Sequence, residues 1–204
     1  MYDAIVVGAR CAGSPTAMLL ARKGYRVLLV DKAGFPSDTL STHYIHQPGV
    51  AKLHRWGLLD KVAASGCPPI ERQVFDVGPF ALTGSPPPAE GITAGYAPRR
   101  VILDKILLDA AVDAGVEARE HFSVEELVTD GDRVTGVRGR SHGGSLVQEE
   151  ARFVVGADGM PRGSRGWFRR PHTTNSPHRV APTTHTGAMY RCQMWSFIQG
   201  QNGC

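Results

Sequence analysis

The chain begins Met1 and runs Tyr2-Asp3-Ala4-Ile5-Val6-Val7, then turns through Gly8-Ala9-Arg10-Cys11-Ala12-Gly13. After a segment closed by Gly24 it reaches Arg26-Val27-Leu28-Leu29-Val30-Asp31. These residues decide the fold. The first run is nearly all apolar, which suits a strand covered on both faces, as in a parallel sheet. Residues 14–23 place Ala17, Leu20 and Ala21 on one helical face, and Gly24 stops the helix. Residues 26–30 read as a second buried strand with Asp31 at its C-terminal end. Strand, glycine turn, helix, strand and acid in this order are the signature of a dinucleotide-binding βαβ unit.

Each part has a physical reason. Gly8 permits the tight turn, and Gly13 lets the helix pack close to the strand. The turn residues Ala9, Arg10, Cys11 and Ala12 lead into a helix N-terminus. Such an end offers unpaired N–H groups and a positive dipole to a pyrophosphate. Asp31 can accept hydrogen bonds from both hydroxyls of an adenosine ribose, with Lys32 beside it. Arg10 stands where the usual G-x-G-x-x-G has its middle glycine, a real departure from the fingerprint.

Working outward, residues 47–56 and 58–64 read as two short helices separated at Gly57. Residues 70–77 alternate apolar and polar, which predicts a strand with one wet face. Gly84-Ser85-Pro86-Pro87-Pro88 is a loop. Residues 100–114 carry apolar side chains at 103, 106, 107, 110 and 111, an amphipathic helix ended by Gly115. Residues 116–122 would return to the parallel sheet. Residues 124–128, 133–137 and 146–155 read as a three-stranded meander joined by Asp130-Gly131-Asp132 and Ser141-His142-Gly143-Gly144. The expected architecture is α/β: a Rossmann-like domain with a parallel sheet and a β-meander. Residues 70–98 would add the first strands of an incomplete antiparallel substrate sheet.

Four motifs in order resemble the flavoprotein monooxygenases of the p-hydroxybenzoate-hydroxylase fold. The likeness is to the branch with geranylgeranyl-reductase-like and halogenase-like oxidoreductases, and it covers roughly residues 3–160. Val7-Gly8-Ala9-Arg10-Cys11-Ala12-Gly13-Ser14 resembles that branch's G-A-R-x-A-G-S turn, where Arg for the middle glycine is common. The loop Phe35-Pro36-Ser37-Asp38-Thr39-Leu40-Ser41-Thr42-His43 is similar to one that runs beside the flavin. Arg100-Val101-Ile102-Leu103-Asp104-Lys105-Ile106-Leu107 resembles the R-x-x-L-D-x-x-L helix, whose Arg reaches the FAD phosphates. Phe153-Val154-Val155-Gly156-Ala157-Asp158-Gly159 looks like the G-A-D-G segment. There the Asp meets FAD ribose, and the segment is implicated in NAD(P)H handling. Val124 falls where the family places a strand whose backbone meets adenine.

The resemblance implies FAD as cofactor, NAD(P)H as reductant, a small-molecule substrate and a cytoplasmic setting. It implies Gly8, Ala9, Arg10, Cys11, Ala12, Gly13, Asp31, Lys32, Arg100, Val124, Asp158 and Gly159 as cofactor-binding residues, and names no catalytic side chain. An NAD-dependent dehydrogenase is disfavoured by the Arg100 helix and the G-A-D-G segment. His43, His46 and His54 lack a carboxylate or Cys at metal spacing, so no metal site is expected. No G-x-S-x-G elbow exists for a hydrolase. Cys11, near a helix N-terminus, sits where a thiol pKa can fall, although a structural role is the stronger reading. No apolar run approaches the ~18 residues of a membrane span. The start of the chain does not read as a signal peptide.

The net charge of +4 is unevenly spread. Residues 160–204 hold six Arg, no Lys, no acid and no Leu, a net of +6, so residues 1–159 carry +4 − 6 = −2. The part that carries the motifs is therefore mildly acidic, which removes the argument for nucleic acid as a partner. The expected organisation is a discontinuous FAD-binding domain at 1–69 and 99–160, with 70–98 as partial substrate-domain strands. Residues 161–204 form an atypical basic tail. The family's G-A-D-G-x is followed by S-x-V-A-R, whereas Pro161-Arg162-Gly163-Ser164-Arg165 stands here. A one-base shift with permitted codons restores the family's run. The tail is accordingly expected to be out of frame and poorly ordered, and the chain to be the N-terminal portion of a longer flavoprotein. A non-catalytic FAD- or ADP-binding fragment is the alternative function.

Overall fold

The computed structural model describes residues 1–159; the expected out-of-frame tail, 161–204, lies outside the described residues. Strand β1 (Tyr2–Val7) leads through the glycine turn into α1 (Gly13–Ala21) and back to β2 (Val27–Val30). Gly24 takes φ +87° where the helix ends, as expected of a left-handed terminator. Helices α2 (Gln47–Trp56) and α3 (Leu59–Ala63) follow, then a hairpin of β3 (Gln73–Asp76) and β4 (Ala81–Gly84). Helix α4 (Arg100–Asp113) precedes β5 (Glu117–Arg119), β6 (Phe122–Asp130), β7 (Arg133–Ser141) and β8 (Val147–Gly156).

The six-stranded sheet has the order β5-β2-β1-β8-β7-β6. β1 pairs in parallel with both β2 and β8, and β2 pairs in parallel with β5. β6, β7 and β8 form the antiparallel meander. One strand joins the two halves: β8 pairs with β7 through Val147 to Glu150, then with β1 through Ala151 to Gly156. The G-A-D-G segment therefore emerges beside the glycine turn, at the same end of the sheet.

Two cores lie on opposite faces. On one, Val6 and Leu29 meet Ala17 and Met18 of α1 and Leu103, Leu107 and Ala111 of α4. On the other, Tyr2, Ile5, Leu28 and Val30 meet Phe122 and Val137 of the meander. Ile5, Val6, Leu28 and Leu29 have no exposure. Fully burying each such side chain is worth about 1.5–3 kcal/mol. Being covered on both faces is why β1 and β2 are continuous apolar runs rather than alternating ones. Across the lower sheet, the Tyr2 hydroxyl donates to Glu117 at 2.6 Å. Arg119 bridges Glu117 and Glu149.

Two expectations need correction. The strand predicted over 70–77 with one wet face is only Gln73–Asp76, and all four residues are exposed. Ile70 instead makes an isolated bridge to Gly95. Alternation is present, but among the described residues no layer covers the apolar side of the hairpin. The return strand expected over 116–122 is β5 alone, because His121 takes φ +55° and turns Phe122 into β6.

Candidate functional site

A cleft of about 1030 Å³ opens where β1, β2 and β8 end. It is lined by Gly8, Arg10, Cys11, Ala12, Asp31, Lys32, Arg100, Val124, Asp158 and Gly159, with Thr39, Leu40 and Ser123 among the others. Its size is at the upper end of small-molecule and cofactor pockets, about 300–1,000 Å³. Sequence-predicted candidates thus converge from five separate stretches of chain.

Ala9 and Gly13 do not line the cleft; they build it from behind. Ala9 is buried, and its N–H donates to Asp31 Oδ2 at 2.7 Å. A Cβ on Gly13 would stand 1.7 Å from the Gly8 carbonyl oxygen. A Cβ on Gly8, at φ +105°, would stand 2.6 Å from the Ala157 carbonyl oxygen. Both glycines are therefore required by backbone approaching backbone. The N–H of Ala157 donates to the Val7 carbonyl at 2.7 Å, which ties the G-A-D-G segment to the glycine turn.

The leading N–H groups of a helix lack partners within it. Here Arg10, Cys11 and Ala12 bring that end of α1 to the cleft. Asp31 accepts from Ala9 N–H through one oxygen and from Ala33 N–H at 2.8 Å through the other. Each carboxylate oxygen keeps a further acceptor direction for a ribose hydroxyl.

The phosphate side holds a feature the sequence reading passed over. Asp104 belongs to α4 and has no exposure. Arg10 Nη1 donates to it at 2.7 Å, and Arg100 donates through Nε and Nη2, each at 3.0 Å. Arg10 also donates to Ser37 Oγ at 3.0 Å and lies over the Phe35 ring at 5.2 Å. The departure at the middle position of the fingerprint is thus a side chain folded away from the turn, joining it to the 35–43 loop and α4. Burial, the largest single effect, opposes the charge on Arg100; the hydrogen bond to Asp104 and the neighbouring Cys11, Asp104 and Asp38 together outweigh it and raise its pKa. The sequence shows an Asp four residues after Arg100 but neither its burial nor its second partner, Arg10.

Cys11 corrects the possibility of an acidified thiol. Its Sγ donates to Asp104 Oδ1 at 3.3 Å. Burial first, then the Asp104 charge, pushes the thiol up to about 11. The Arg100 charge and a backbone hydrogen bond lower it but do not offset these effects. In the loop, His43 takes φ +62°, and its Nδ1 is buried with no hydrogen-bond partner among the described residues. No group of three His, Cys, Asp or Glu among the described residues could hold a metal ion.

The donor set fits an ADP-bearing cofactor: a tight glycine turn, a helix N-terminus, an acid at the end of β2, and cations from Arg10, Arg100 and Lys32.

Comparison with known proteins agrees. A family described as FAD binding domain matches residues 1–181. The chain is 32% identical over 192 residues to a rifampicin monooxygenase of Rhodococcus hoagii, spanning 92% of this chain and 36% of that protein. It is 28% identical over 165 residues to a digeranylgeranylglycerophospholipid reductase of Picrophilus torridus, spanning 78% and 39%. Among solved structures, the myxobacterial chondrochloren halogenase aligns with TM-score 0.70 at 29% identity, over 78% of this chain and 37% of that one. The chain therefore spans well under half the length of these relatives. Among the described residues, no helix is long and apolar enough to cross a membrane. With the glycine turn, Asp31, Arg100 and the G-A-D-G segment around one cleft, and a family match over most of its length, this chain belongs to the FAD binding domain family.

Proposed function

We propose that the chain supplies the FAD-binding portion of an NAD(P)H-dependent oxidoreductase, a monooxygenase or reductase, acting on a small molecule in the cytoplasm. The observation that carries the proposal is the convergence of Gly8, Asp31, Arg100 and Asp158 on one cleft. Asp31 holds the adenosine ribose, and the α1 N-terminus with Arg10, Arg100 and Lys32 balances the pyrophosphate. Asp158 and Gly159 line the same cleft, and the acid would meet FAD ribose. When bound, FAD supplies the redox chemistry, accepting a hydride and passing electrons to oxygen or to a substrate double bond. The protein's part is to bind, orient and shield. Residues 1–69 and 99–160 form the cofactor domain in this reading, and 70–98 begin the substrate domain.

A second reading is a binder of FAD or ADP without turnover of its own. It is supported by the cleft's lining, where Gly8, Asp31 and Arg100 all serve an ADP moiety. The test is to purify the chain with added FAD, record the visible flavin bands, and follow NADPH oxidation. Stoichiometric flavin supports the cofactor assignment. Robust turnover removes the second reading, and a colourless protein that binds NADH removes FAD in favour of a nicotinamide cofactor.

A further inference from the structure

The cleft's two arginines reach it from different elements, yet both end on one carboxylate. Asp104 is fully buried, whereas the Arg10 and Arg100 side chains keep 26% and 16% exposure at the cleft. Arg100 gives Asp104 its Nε and Nη2, so its remaining edge, Nη1, faces away from that pair. Arg10 is held at three points, by Asp104, Ser37 and the Phe35 ring. A carboxylate buried alone is costly, and Asp104 is instead hydrogen-bonded to two guanidinium groups. Conversely, each guanidinium is confined to one orientation before any ligand arrives. The cluster of two cations and one anion keeps one positive charge toward the cleft.

We propose that Asp104 is a positioning residue for a pyrophosphate-bearing ligand, aiming Arg10 and Arg100 into the cleft so that binding does not have to order them. The inference rests on the cofactor reading above. A ligand with a pyrophosphate gains from that prior ordering, and a nucleoside without one does not.

The test compares ADP and adenosine on the full chain, wild type and Asp104→Asn, by titration calorimetry. The Kd for ADP is expected to rise about tenfold or more, while that for adenosine stays within about twofold. Iodoacetamide should also alkylate Cys11 faster in Asp104→Asn, with no ligand present, because the thiol loses its anionic neighbour. Tighter ADP binding would mean that Asp104 acts only as an opposing charge, and equal weakening of both ligands would mean general loosening; either overturns the proposal. If Asp104→Asn does not fold, hydrogen exchange at Arg100 Nε in the ligand-free wild type decides. Protection is expected, and free exchange refutes the prior ordering. A wild type that binds neither FAD nor ADP refutes the cofactor reading. A wild type that binds, with an unaffected Asp104→Asn, refutes only the role of Asp104.

Discussion

Gly8→Ala tests the geometry that brings the glycine turn against the G-A-D-G segment. The new Cβ would stand 2.6 Å from the Ala157 oxygen, 2.7 Å from its carbon and 2.8 Å from the Asp158 nitrogen. All three are backbone atoms, so no side chain can swing aside. The backbone cannot yield cheaply either. Gly8 N–H donates to the Val30 carbonyl at 2.8 Å, and Ala157 N–H to the Val7 carbonyl at 2.7 Å. An L-residue at positive φ costs about 1–2 kcal/mol, and overpacking against fixed neighbours about 1–3 kcal/mol. The sum is a loss of about 2–5 kcal/mol, against a total stability of about 5–15 kcal/mol for a typical domain. For this size of domain that lowers the melting temperature by about 4–20 °C. Gly24→Ala is the control, since Gly24 has φ +87° but nothing within 4 Å of its Cβ position. It should show the conformational part alone, about 1–2 kcal/mol. Urea unfolding of both variants, followed by circular dichroism, isolates the steric difference of about 1–3 kcal/mol. If the two variants agree within about 0.5 kcal/mol, the close approach is not part of the fold and the reasoning fails.

Other outcomes are expected. Asp31→Asn weakens charge-assisted hydrogen bonds to two backbone N–H groups as well as the proposed ribose contact; FAD affinity by fluorescence quenching should fall about tenfold or more, and an unchanged affinity would remove Asp31 from the site. With its pKa at about 11 against an ordinary 9.0, Cys11 should alkylate about a hundredfold more slowly at pH 8 than a free thiol. A background with Cys67, Cys192 and Cys204 each changed to Ser isolates this rate from the other three thiols, and a fast reaction would refute the contact with Asp104. Glu117 is held below its ordinary 4.5 by the Tyr2 hydrogen bond and then Arg119, so its contribution to stability is present above pH 4.5 and lost as pH falls through the lowered value. Glu117→Gln should therefore flatten the acid side of a melting-temperature profile, and an unchanged slope would show that the carboxylate is not perturbed. Phe75, Val77, Phe80 and Leu82 present an apolar face of the β3–β4 hairpin at 37–60% exposure. Phe80→Ser with Leu82→Ser should lower binding of an apolar dye and leave the melting temperature within about 2 °C; an unchanged dye signal would place the exposed surface elsewhere.

The β1–α1–β2 unit was legible because its signals are contiguous. An apolar run, two glycines at fixed offsets, a helical stripe and an acid all fall inside one short stretch. Helix α4 was legible for the same reason, its observed bounds of Arg100–Asp113 differing by one residue from the expected end. Asp104 was not. Helical periodicity ranks a carboxylate as a solvent-side residue. Its burial depends on two arginines, of which Arg10 lies 94 positions away. Cys11 shows the same limit: local sequence shows the helix end but not the buried anion beside it. The hairpin shows the reverse case, where alternation was real but the covering layer is not among the described residues.

The sequence by itself determined β1, β2, the helices, the glycine turn and the acid at the end of β2, because short-range periodicity and backbone sterics act within a few residues. Only the tertiary structure decided that β8 serves both the meander and the parallel sheet, since pairing partners are chosen by long-range burial. It also decided that Ala157 closes on Gly8, and that one buried carboxylate holds both arginines of the cleft. Those contacts join stretches of chain about a hundred or more residues apart, and charge in a low-dielectric interior is governed by such neighbours rather than by position along the chain.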